Sequence, residues 1–169
     1  INFYKSDVEM DNVYFLNNIK GDDYLNIINS KFDLNNIFFE NSYADALDID
    51  YSIGKIQNIK FNKSGNDAID ISNSSIELNN FEAVNIDDKA ISVGENSYLR
   101  GELYIINKAF LGLAVKDQSE VDLNNLTISN SDIPIAAYIK KREYNHSKIN
   151  INQYYENDNL QEPLFEVGS

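Results

Sequence analysis

The chain has no cysteine and no tryptophan, only two prolines and seven glycines, and a single methionine and histidine. Without thiols there is no disulfide framework, no thiolate nucleophile and no cysteine-based metal site; the redox compartment is left open. The lone histidine, His146 in YNHSK, excludes a histidine-rich metal centre and reads as an exposed loop residue. Basic residues are also scarce. Fourteen Lys and Arg against 27 Asp and Glu give a net charge of -13. That balance excludes nucleic acid as the expected partner, because neutralising phosphates takes clustered cations. The one basic run, KKR at 140–142, is too short for a polyanion groove. No apolar run approaches the length of a membrane span, and the chain opens INFYKSD with no signal-like segment. A start without Met reads as a trimmed domain or mature piece. No Gly-rich phosphate loop, HExxH or Ser-His-Asp arrangement is found.

What the chain does have is a period. The stretch SGNDAIDISNS (64–74) is rewritten along the sequence: YADALDIDYS ends at Ser52, IDDKAISVGENS at Ser97 and AFLGLAVKDQS at Ser119. Ala46, Ala68, Ala90 and Gly112 fall 22 residues apart, and so do Leu47, Ile69, Ile91, Leu113 and Ile135. Between these blocks lie VEMDNVYFLNN, FDLNNIFFENS, GKIQNIKFNKS, IELNNFEAVNI and VDLNNLTISNS. Apolar residues alternate within them, then change parity across the Asn pair. Alternation means strands, and a parity change means a corner. Three short strands in 22 residues describe one coil of a parallel β-helix. We therefore expect an all-β, single-stranded, right-handed parallel β-helix of about six to seven coils with a 22-residue repeat. It forms one domain over 1–169, regular from about 7 to 139, with 140–169 an irregular final coil or cap. Within that tail, Ile149 and Ile151 would restart the first strand, and Leu164, Phe165 and Val167 would close a last coil.

Stacked coils turn the period into ladders. Asn36, Asn58 and Asn80 form one. Asn17, Asn41, Asn85, Asn107 and Asn130 form a second, interrupted by Lys63, and Ser30, Ser52, Ser74, Ser97 and Ser119 a third. Corner Asn residues accept the left-handed backbone and bond along the axis, which makes them structural.

Chemistry is expected on the short repeated strand. With Leu47 and Ile49 inward, Ala46, Asp48 and Asp50 face out, followed by Ala68, Asp70 and Ser72, then Ala90, Ser92 and Gly94. Asp48 and Asp70 should lie about 4.8 Å apart at the backbone, an opposition that destabilises a sheet unless a cation or shared proton relieves it. The pair is thus a candidate calcium site, although no cofactor is required. Asp48, Asp50, Ser72 and Ser92, flanked by Lys116, would line a shallow ligand-binding trough. At the preceding corner Asp23, Asp45 and Asp67 stack and Lys89 ends the series, a turn device or, on an enzymatic reading, a catalytic set of Asp67, Asp70 and Lys89. The bland reading of the acidic strip is a solvated face.

The period and these blocks resemble the right-handed parallel β-helix superfamily of pectate lyases, polygalacturonases and alginate epimerases. NDAIDIS (66–72) followed by DDKAISV (87–93) is similar to the active-site strands of polygalacturonases, with Asp67 at the first carboxylate position and Lys89 where a later Asp would stand. The Gly-His-Gly, Arg-Ile-Lys and Asp-Pro-His-Asp elements of these enzymes are absent. SGNDAIDISNS, DKAISVGENS, GLAVKDQS and AAYIKKREY are closer to β-helix modules found beside spore-coat-H-like kinase domains in bacterial surface proteins. That likeness implies an exported, non-catalytic or accessory module; separately, the trough leads us to expect an extracellular or cell-surface module that binds a polysaccharide. The alternatives are a lyase or hydrolase on acidic polysaccharide, and a structural spacer whose open ends meet neighbouring domains.

Overall fold

A computed structural model of the chain describes residues 1–157. The expected closing coil at Leu164, Phe165 and Val167 lies outside the described residues. The rest is a parallel β-solenoid of about six turns, and no helix occurs among the described residues. Consequently no helix there is long and apolar enough to cross a membrane.

Two walls are built by every coil. The long wall stacks β2 (Asp7–Leu16), β4 (Lys31–Ser42), β6 (Ile53–Ser64), the first part of β8 (Ser75–Gly94), the first part of β9 (Tyr98–Lys116), β10 (Glu120–Ser129) and β12 (Lys148–Glu156). The short wall stacks β1 (Asn2–Tyr4), β3 (Leu25–Ile28), β5 (Leu47–Asp50), β7 (Ile69–Ser72), the ends of β8 and β9, and β11 (Ile133–Tyr138). All pairings are parallel. The expected restart of the strand at Ile149 and Ile151 is β12, where they sit beside Val121 and Leu123.

The walls bend where the sequence places Asn. Asn12, Asn36, Asn58 and Asn80 all have positive φ, as do Asn17, Asn41 and Asn85 at the next corner. Asn tolerates this conformation because its side chain bonds locally. The amides then link coils: Asn58 Nδ2 donates to Asn36 Oδ1 at 3.0 Å, and Asn80 to Asn58 at 2.7 Å. The second ladder differs by one residue from the expected one. Lys63 and Lys108 hold its left-handed positions between Asn41, Asn85 and Asn130, whereas Asn107 is buried one place earlier.

A change in how residues are shared between corners explains the slip. From Glu95 on, the serine corner carries two left-handed residues instead of one (Glu95 and Asn96, then Asp117 and Gln118). On the opposite turn, Phe110 alone stands where the previous coil has Asp87 and Asp88. The long wall therefore pairs Ser75 with Tyr98 while the short wall still pairs Lys89 with Leu111.

The interior is a continuous apolar column. Phe15, Phe39 and Phe61 stack with ring centroids 4.5 and 5.1 Å apart. The next coil puts Ala83 beside Phe61 and Phe81 beside Ile59, so the aromatic stack steps sideways to Phe81 and Tyr104. Tyr104 is fully buried, and its hydroxyl donates to the Leu78 carbonyl at 2.6 Å. Each aromatic contact adds about 0.5–1.5 kcal/mol beyond area burial. The inward apolar residues that stay partly exposed belong to the first coil (Phe3, Met10, Val13, Tyr24) and the last (Ile135, Ile149, Ile151).

Candidate functional site

The short wall brings the expected acids together. Asp48 is in direct register with Asp70, and Asp50 with Ser72; Ser92 and Gly94 follow on the next coil. Asn26, one coil earlier, donates to Asp48 Oδ2 at 3.1 Å and to Asp23 Oδ2 at 3.2 Å. Burial, reinforced by the charges of Asp50, Asp23, Asp70 and Asp45, pushes the Asp48 carboxyl up to about 8. At neutral pH this group holds its proton. Burial likewise raises Asp23, Asp45 and Asp50.

The trough expected here is not open. Ala46, Ala68 and Ala90, read as outward, have no exposed surface and belong to the core, because the chain is still turning inward at those positions. Further along, Lys116 folds back across Gly94 and brings Nζ to 3.8 Å from Asp70 Oδ1. Gly94 makes room for it: a Cβ there would stand 3.0 Å from Lys116 Cε. Lys116 is only 6% exposed, and Ser92 lies wholly buried. Asp117, which the sequence places on the same side, is instead a buried corner group whose Oδ1 accepts from the Lys140 and Lys141 amides.

The calcium reading finds little to bind. Calcium takes six to eight oxygens. Among the described residues no group of three or more His, Cys, Asp or Glu is arranged to hold a metal ion.

Asp67 and Lys89 form a corner staple. Asp45 Oδ1 accepts the Asp67 amide and the Asn66 side chain, both at 2.7 Å. Asp67 Oδ1 in turn accepts the Lys89 amide at 3.0 Å and the Lys89 ammonium at 3.1 Å, and that ammonium also contacts Asp88. Burial raises Asp67 to about 7 against the opposing pull of Lys89. With 3% exposure and two donors on one oxygen, Asp67 fixes the bend between coils.

An accessible site lies elsewhere, on the long wall between the serine and asparagine corners. A groove of about 360 Å³ crosses four coils there. Two outward columns line it, Glu77–Arg100–Asp122–Asn150 and Asn79–Glu102–Asn124–Asn152, with Tyr98 at one side. Arg100 bonds Glu77 at 2.7 Å, Tyr98 donates to Asp122 at 2.9 Å, and Asn124 donates to Glu102 at 2.5 Å. The Arg100 hydrogen bond lowers the Glu77 carboxyl, and donation from Asn150 and then from Tyr98 lowers that of Asp122, the reverse of Asp48. Gly101 belongs to the floor, since a Cβ there would collide with the Leu78 carbonyl at 1.7 Å. The groove has no short motif. Its signal was the change of Asn to Leu103 in the first corner column, together with Gly101 where neighbouring coils have Leu.

No family model, curated protein or solved structure matches this chain.

Proposed function

We propose that this solenoid is an accessory, glycan-binding module of a bacterial cell-surface or secreted protein. The observation that carries the reading is the long-wall groove. There Tyr98, Arg100, three carboxylates and four Asn side chains repeat on rows about 4.8 Å apart, a spacing at which a linear polymer of hydroxyls meets similar partners coil after coil. Ionised carboxylates, amides and a guanidinium bind paired hydroxyls, and a tyrosine ring packs on the apolar face of a sugar. Three carboxylates against one Arg favour neutral or amino sugars over polyuronates. Titration with neutral, amino and uronic oligosaccharides tests this. Arg100→Ala and Tyr98→Ala should each weaken binding about tenfold or more; undiminished binding by both variants would move the site off this groove. The enzymatic alternative at Asp67, Asp70 and Lys89 predicts new reducing ends or unsaturated uronides from pectin, polygalacturonate or alginate.

A second reading, an assembly segment, draws on the partly exposed core residues of the two end coils. It predicts mass that rises with concentration in sedimentation, abolished by Ile151→Asp.

A further inference from the structure

Lys116 is an anomaly on this surface. An outward lysine ordinarily extends its ammonium into water. This one lies flat over Gly94, 6% exposed, and Nζ stops 3.8 Å from Asp70 Oδ1, beyond hydrogen-bond range. That oxygen is itself buried and has no hydrogen-bond partner among the described residues. The fully buried Ser92 hydroxyl, in register beside Asp70, is also without one. A buried ammonium that forms no hydrogen bond with its carboxylate recovers little of its desolvation cost. The same arrangement suits a different outcome. A nucleophilic nitrogen is held against a carboxyl group of which one oxygen is buried, and the acid Asp48 stands in register on the far side of Asp70.

We propose that Lys116 and Asp70 condense into an intramolecular amide that staples β7 to β9 across the coil between them, with Asp48 as the general acid. Transfer of one proton from the ammonium to the Asp70 carboxylate leaves a neutral amine and a neutral acid, the pair that can condense. Nζ then adds to Cγ of Asp70. Asp48 gives its proton to the departing oxygen and regains one from the nitrogen. The Nζ–Cγ bond forms and a Cγ–O bond breaks. Of the three ammonium protons, one stays on the amide and two leave with the oxygen as water, so no oxidant or cofactor is needed. Asp48 is equipped for this at neutral pH, because burial and the acids around it hold its carboxyl up to about 8.

Intact mass measured under denaturing conditions decides. The wild-type chain should be lighter than its sequence by one water. Trypsin, blocked at the acylated Lys116, should release residues 64–89 joined to residues 109–140 as one branched peptide. Lys116→Arg and Asp70→Ala should both restore the full sequence mass, and Asp48→Asn should do so while keeping the wild-type β-sheet circular dichroism. A wild-type chain at full mass after prolonged incubation, or a light Lys116→Arg variant, would overturn the cross-link. A light Asp48→Asn chain would remove Asp48 as its acid. Because the first measurement is on the unaltered protein, a variant that fails to fold does not blunt the test.

Discussion

Two ladders of the solenoid treat their polar groups in opposite ways. On the long wall Asn36, Asn58 and Asn80 stack their amides in exposed positions, and the carboxylates of Glu77 and Asp122 are held ionised by donors. At the serine corner, polar groups are taken in. Ser52, Ser74, Ser97 and Ser119 are at most 4% exposed; each hydroxyl accepts the backbone amide of the serine one coil before, as Ser74 Oγ does from Ser52 N at 2.9 Å. Asp48 beside them keeps its proton. A repeated polar residue therefore does one of two jobs, and the period alone does not say which. Exposed ladders tune a corner; buried ones carry its backbone hydrogen bonds.

The largest effect that would sharpen this contrast is electrostatic. Asp48 titrates near 3.8 when unfolded and near 8 when folded. Its contribution is fully present below the unfolded value and is lost across the window between the two, being gone above about pH 8. Thermal melts should fall from pH 4 to 8 and then level. Asp48→Asn should reduce that slope, by on the order of several kcal/mol across the window, and leave the part that Asp67 carries, which levels near pH 7. Next comes Ser74→Ala. It strands the Ser52 amide and removes the donor to the Ser72 and Ile49 carbonyls, at a cost of about 1–3 kcal/mol in denaturant unfolding. The smallest break is on the exposed ladder. Asn58→Ala should cost about 1 kcal/mol, chiefly from forcing Ala into the left-handed region, and Asn58→Gly should recover most of it. If Asn58→Ala proved costlier than Ser74→Ala, the division between the ladders would fail.

Much of this was legible before any coordinates. The 22-residue step stacks Asp48 on Asp70, Asp50 on Ser72 and Asp67 on Lys89 through simple arithmetic, because one coil is one period. Three things were hidden. Burial of Ala46, Ala68 and Ala90 depends on where the chain finishes its turn, which strand alternation does not encode. The fold-back of Lys116 depends on Gly94, a coil away, being too small to block it. The groove at Tyr98 and Arg100 lies where Gly101 stands beside Leu123 of the next coil, a missing side chain instead of a motif.

The exchange of residues between corners has a practical meaning. One winding behaves like a belt of fixed circumference: what Glu95–Asn96 and Asp117–Gln118 add at one bend, the lone Phe110 gives back at another. A residue inserted into a wall should throw every downstream column on that side out of phase, whereas the same insertion matched by a deletion further round the loop should pass unnoticed by the next coil. Surplus chain can otherwise bulge from the belt, as the stretch between Tyr138 and Lys148 does while its Lys140 and Lys141 amides stay tied to Asp117, which makes the residues beyond Lys141 the place to graft sequence without disturbing the stack.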